Sequence, residues 1–158
     1  EDPRFIARRL VIFASEDISL DDSRGLLMAD ATFRACETIG LPECELNLAH
    51  CVLFLATCPK SNSATLALAA AKQAIRDQPV QSIPSNIQDR HGRNQKYRED
   101  EEEGYLYSHN YPENISGQSY LEKDLSLFVP KSAGTEKSVA DRLSYWKNLK
   151  RELNQKEN

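Results

Sequence analysis

The stretch Cys58-Pro59-Lys60-Ser61-Asn62-Ser63 sets a lysine beside a serine, as phosphate-binding loops do. It lacks the glycines that let backbone N–H groups close on a phosphate, and the full pattern G-x-x-x-x-G-K-[ST] does not occur in the chain. Nucleotide binding by this chain is therefore not expected. The hydrolase and metalloprotease patterns G-x-S-x-G and H-E-x-x-H are also missing, as is C-x-x-C. Three histidines, His50, His91 and His109, are the only side chains with an ordinary pKa near neutrality. His50 falls in a strongly apolar segment, where a satisfied core histidine is the expected role. His91 and His109 have no nucleophile spaced to complete a triad. Neither a catalytic residue nor a cofactor or metal site is assigned to this chain, and an independent small enzyme is the least favoured reading.

The one patch with binding chemistry is Arg90, Arg93, Lys96, Tyr97 and Arg98, four cations around an aromatic ring. Such a patch can follow the backbone of a single strand and stack a base, so these five residues are the candidate DNA contact. Five acids follow directly at 99–103 and would repel the same phosphates. Opposed charge blocks of this kind more often form a solvated loop, and the 88–104 region is expected to be mobile. The later segment Gly104–Tyr120 supplies Tyr105, Tyr107, Tyr111 and Tyr120 without flanking cations. Its expected role is to lie across helices, burying rings and pairing hydroxyls.

Composition sets the frame for these residues. The chain has 158 residues, 40% hydrophobic and 28% charged, with a net charge of −4. Residues 1–80 hold 8 Lys/Arg against 11 Asp/Glu, and residues 81–158 hold 12 against 13. Neither half is basic, so any DNA contact has to be local. No apolar run approaches the roughly 18 residues of a membrane span, so no membrane partner is expected. Cys44, Cys51 and Cys58 recur every seven residues in a helical pattern, about 10 Å apart along the axis. That is too far for a disulfide or a shared metal on one helix, so these and Cys36 read as small buried apolar residues in a reducing environment.

Helical periodicity dominates residues 1–79. Asp2 and Pro3 start a first helix carrying Phe5, Ile6, Leu10 and Phe13 on one face. Asp22 or Ser23 starts a second, which Gly40 and Pro42 end near Ile39. A third runs from about Glu43 to Cys58; its centre, LAHCVLFLA, is apolar almost all round and is expected to be the most buried element. Pro59 stops it, Ser61, Asn62 or Ser63 caps a fourth, Ala-rich helix, and Pro79 closes the block. Residues 80–133 show little periodicity, and a last helix begins near Thr135 with Val139, Leu143, Trp146 and Leu153 as its stripe. The expected fold class is all-α, a helical bundle over 1–79. An irregular Tyr-rich segment and a C-terminal helix over 80–158 are expected to pack on the same domain. A first helix that begins at once, with no initiator Met, further suggests a piece of a longer protein.

Three stretches, EDPRFIARRLVIFASEDI, LATCPKSNSA and GYLYSHNYP, resemble the C-terminal half of the RarA/MgsA family. These are replication-associated recombination ATPases of the AAA+ class, similar to the eukaryotic Werner-helicase-interacting ATPase. The resemblance runs from Glu1 to about Tyr120 and continues more weakly in the last helix. It implies that this chain is a clamp-loader-like, all-α oligomerisation domain forming a homotetramer, itself not an enzyme. An AAA+ motor that holds ATP and Mg would precede it. Implied partners are a second copy of the chain, single-stranded DNA-binding protein and DNA, through the full-length protein, in the cytoplasm at the nucleoid. The family reads close to G-Y-K-Y-P-H-D-Y-P where this chain has Leu106, Ser108 and Asn110 in place of Lys, Pro and Asp. Those changes bear on any charge-dependent role of the Tyr segment. The runner-up function is a DNA-contact module working through residues 90–98.

Overall fold

A computed structural model describes residues 1–88 and 105–156. The basic patch from Arg90 to Arg98, the acidic run after it and His91 lie outside the described residues. Five α-helices and several short helical turns make up the ordered elements, and no strand occurs among the described residues, so the fold is all-α. The helices are α1 (Pro3–Phe13), α2 (Arg24–Thr38), α3 (Cys44–Thr57), α4 (Ser63–Asp77) and α5 (Gly134–Lys156).

Their ends follow local chemistry. The Asp2 carboxylate accepts the Arg4 N–H at 2.8 Å, and Pro3 fills the first position, where no N–H is needed. α1 passes into a π-helical turn (Ala14–Ile18) and a 3-10 turn (Ser19–Asp21). At the start of α2 it is Asp22, rather than Ser23, that accepts a backbone N–H, from Arg24 at 3.1 Å. Gly40 takes φ +76°, a left-handed geometry that suits glycine just past a helix end. Pro59 follows the extended Cys58 and stops α3.

The chain divides into two compact units: residues 1–74 with 127–140, and residues 75–126 with 141–158. In the first unit α1, α2 and α3 pack against one another. Their core is built of small residues. One cluster joins Ala14, Ile18, Ala29, Cys51, Leu55 and Cys58, flanked by Leu10, Val11, Phe13, Met28 and Phe54. A second joins Ala7, Cys36 and Cys44, flanked by Phe33 and Leu48. Small side chains at the seam let helix backbones approach closely. Gly25 shows how closely: a Cβ there would stand 3.1 Å from Leu55 Cδ2 and 3.3 Å from Ile18 Cγ2.

This packing corrects the expectation for α3 and for His50 within it. α3 is not the most buried helix: only Cys44, Cys51 and Leu55 are buried, while Leu46, Val52 and Leu53 are exposed, and so is His50. The apolar content of a helix does not say which side meets its neighbours; here the cysteine side does. α4 half-buries Ala67, Ala70, Ala71 and Ala74 but leaves Leu66 and Leu68 exposed.

All four cysteines are buried and free, as their spacing suggests. Burial pushes the Cys36 thiol up to about 11, with the neighbouring Cys44 thiol adding to it, and burial likewise raises Cys51 and Cys58. Thiolates are the reactive form, so all four should resist reagents in the folded chain. The check is titration with an aromatic disulfide reagent at pH 8. Modification of all four is expected only after denaturant is added, and rapid native reaction of three or four would contradict the packing.

In the second unit the segments 81–88 and 105–126 are joined mainly by side chain–backbone hydrogen bonds. The Gln81 amide both accepts from Lys123 N–H (2.9 Å) and donates to Lys123 C=O (3.2 Å), and Asn86 donates to Ser119 C=O (3.1 Å). Gln118 accepts the Leu106 N–H at 3.1 Å. Gly117 is buried where an added Cβ would run into the Asn154 side chain of α5.

Candidate functional site

The CPKSNS loop, which carries the Lys-Ser pair, follows α3 directly. Lys60 folds its side chain back: Nζ donates to the carbonyls of Leu55 (2.7 Å) and Cys58 (2.8 Å) and sits 5.4 Å from the centre of the Phe13 ring. The ammonium thus satisfies carbonyls that the end of α3 leaves without helical partners, at the negative end of its dipole. Ser61 is tied to the preceding turn by its N–H, which donates to the Asp17 carbonyl at 2.7 Å.

The two serine hydroxyls converge on one acid from far along the chain. Ser61 Oγ and Ser63 Oγ donate to Glu136 Oε1 at 2.5 and 2.6 Å, and the Lys131 N–H donates to Glu136 Oε2 at 2.7 Å. Ser61 Oγ in turn accepts the Ser63 N–H at 3.1 Å. Ser61, Ser63 and Glu136 are all buried. Burial acts to raise the Glu136 pKa, but the three hydrogen bonds together outweigh it and hold the group below the usual glutamate value. The acid is therefore ionised at neutral pH, a buried charge held by neutral donors.

A second carboxylate fastens the same segment. Asp21, buried in the turn before α2, accepts the Thr135 N–H at 2.8 Å and so caps the first turn of α5 from another part of the chain. Gly134 takes φ +61° there, and a Cβ on it would come within 2.2 Å of Asp21 Oδ1. Glycine is required both by the backbone and by the space.

Chemically, this is an anion site that the protein fills with its own glutamate. The Lys60 ammonium is directed to helix carbonyls, and the Ser61 and Ser63 hydroxyls are directed to Glu136, so these three side chains serve acceptors within the chain itself. Among the described residues no group of three or more His, Cys, Asp or Glu could hold a metal ion. Sequence reading did not single out Glu136, Asp21 or Lys131. Ser61 and Glu136 are 75 positions apart, and no local pattern links them.

The remaining histidine, His109, lies in the second unit with Nδ1 3.1 Å from Asn114 Oδ1 and its ring 5.1 Å from that of Tyr107. The expected burial of the Tyr rings is found only in part: Tyr111 is half-buried, while Tyr105, Tyr107 and Tyr120 are exposed. Hydroxyl pairing does occur, since Tyr120 OH lies 3.4 Å from Ser108 Oγ and 3.3 Å from Ser116 Oγ. Lys150 Nζ stands 5.8 Å from the Tyr120 ring centre. The segment is held largely by amide side chains, with three of its four tyrosines exposed. Among the described residues no helix is long and apolar enough to cross a membrane.

Comparison with known proteins places this arrangement. The family model described as MgsA AAA+ ATPase C terminal matches residues 1–147. An uncharacterized AAA domain-containing protein of Mycobacterium tuberculosis is 40% identical over 146 residues, covering 90% of this chain and 32% of that protein. Replication-associated recombination protein A of Bacillus subtilis is 34% identical over 153 residues, 92% of this chain and 35% of that protein. The ATPase WRNIP1 of Dictyostelium discoideum is 28% identical over 143 residues, 90% of this chain and 15% of that protein. The chain therefore spans about a third or less of the length of these relatives. With α1–α4, the CPKSNS loop and the first part of α5 inside the match, this chain belongs to the MgsA family of AAA+ ATPases and corresponds to their C-terminal region.

Proposed function

We propose that this chain is the oligomerisation region of a clamp-loader-like AAA+ ATPase acting in replication-fork maintenance, recombination and repair. The observation that carries this reading is apolar surface. Phe5, Leu27, Leu46, Leu53, Leu66 and Leu68 are exposed on α1–α4, in a unit whose own core is made largely of alanine and cysteine. Large apolar patches are uncommon on monomers and mark association sites, and these side chains are the material for one. The names of the relatives, replication-associated recombination protein A among them, support the cellular role.

The mechanism is geometric. A homotetramer of this region holds four motors at fixed spacing, so that ATP-driven changes act together on DNA. ATP and Mg belong to the motor; this region is not itself an enzyme. DNA and single-stranded DNA-binding protein are partners of the full-length protein, which works in the cytoplasm at the nucleoid. Sedimentation velocity of the chain without nucleotide or DNA separates this role from direct DNA contact through 90–98. Assembly gives a multimer whose size does not depend on added DNA. A DNA-contact module instead sediments as one chain and binds single strands with an affinity that falls steeply with salt.

A further inference from the structure

α3 has two apolar sides, and only one is used. Cys44, Cys51 and Leu55 face the core. On the opposite side Leu46, Ala49, Leu53 and Ala56 follow one another at the alternating three- and four-residue spacing of a paired-helix seam. All four are exposed, Leu46 at 79% and Leu53 at 67%. From Leu46 to Pro59 there is no Asp, Glu, Lys or Arg.

We propose that this stripe is an interface between two copies of the chain, their α3 helices packed antiparallel about a two-fold axis level with Cys51. The inference rests on the self-assembly reading and says which surface performs it. The argument is register. About that axis Leu46 of one copy faces Ala56 of the second, and Ala49 faces Leu53, so a large side chain meets a small one at all four positions. That is the condition for interdigitation and close helix approach. A two-fold contact repeats the same patch on both sides, so any charge on it meets its own kind; this stripe carries none.

The other exposed apolar faces fit a second copy less well. α1 exposes Phe5, Ile6 and Ile12 among Arg4, Arg8 and Arg9, which a symmetric contact would set against their own copies. α4 exposes Leu66, Leu68 and Ile75; Leu66 and Leu68 lie on different sides of the helix, and Leu68 and Ile75 share theirs with Lys72, which a symmetric contact would set against its own copy. Nucleic acid is a poor occupant of a stripe without a cation.

The test is molar mass by light scattering on the whole chain and its Leu53→Glu and Ala49→Leu variants, at one micromolar-range concentration. Circular dichroism confirms that each remains helical. The first variant buries a charge at the seam; the second sets leucine against leucine. Both are expected at half the wild-type mass or less, since a closed tetramer with one of its two-fold contacts removed falls to pairs. Val80→Glu, an exposed apolar residue outside the stripe and outside α1–α4, is expected to keep the wild-type mass. Folded Leu53→Glu and Ala49→Leu variants of unchanged mass overturn this interface while leaving self-assembly intact. A wild-type chain of single-chain mass overturns both. If Leu53→Glu loses helicity, Leu46→Glu at the more exposed position decides the matter in the same way.

Discussion

Replacing Glu136 with alanine is expected to lower the stability of the chain by about 3 kcal/mol at neutral pH. The carboxylate is the common acceptor for Ser61, Ser63 and the Lys131 N–H, at 2.5 to 2.7 Å. Alanine leaves those donors facing a space with no acceptor, and a hydrogen bond to a charged group is worth about 1.5–3 kcal/mol, more when its partner stays buried. Glu136→Gln keeps one acceptor oxygen and should fall between the two. The same site makes stability depend on acid in a defined direction. The folded chain holds the Glu136 pKa below its ordinary value despite burial, through its three hydrogen bonds. Its contribution is therefore complete above the unfolded carboxylate value of about 4.3 and is lost as pH falls through the lower folded value. Urea midpoints at pH 7 and across the acid range test both statements. Glu136→Ala should have a lower midpoint at pH 7 and a shallower loss in acid; equal midpoints at pH 7 would show that the buried carboxylate does not anchor this segment.

Gly134→Val is expected to destabilise by about 2–3 kcal/mol. A left-handed backbone costs a residue with a Cβ roughly 1–2 kcal/mol, most for a branched one. Loss of the Asp21 cap on Thr135 adds roughly 1 kcal/mol. The added Cβ cannot avoid Asp21 Oδ1, which would lie 2.2 Å from it. For a chain of this length the melting temperature should drop by about 5–10 °C. Gly134→Ala should act in the same direction but less, and Gly40→Ala, with nothing within 4 Å of its added Cβ, should act through backbone strain alone. A Gly134→Val protein that melts with the wild type would mean that the Asp21–Thr135 contact is not formed in solution.

These two residues also show where reading the sequence stops. Helix ends were legible because their causes are local: Asp2 with Pro3, Gly40 with Pro42, and Pro59 act within a few residues of themselves. The free, buried state of Cys44, Cys51 and Cys58 was legible from their seven-residue recurrence in a helical pattern. The buried side of α3 was not, because leucine, alanine and cysteine are all acceptable core residues and the choice among them was made by α1 and α2. His50 shares that history: assigned to the core from its apolar neighbours, it lies on the exposed side. The CPKSNS loop was noticed for its Lys-Ser pair, and its contacts in the fold are of another kind. Its lysine caps carbonyls and its serines hold a glutamate, contacts that span 73 and 75 positions and leave no mark on local spacing. The Tyr segment was read as a burying element because tyrosine is largely apolar; its anchors are instead Gln81, Asn86 and Gln118, residues with no periodicity to reveal them.

Self-assembly is the claim on which the functional reading depends, and molar mass tests it most directly. Light scattering on the chain alone, at micromolar concentration and without nucleotide or DNA, should give the mass of four chains, each of 17.9 kDa. A mass of 17.9 kDa that holds as concentration rises would contradict the account.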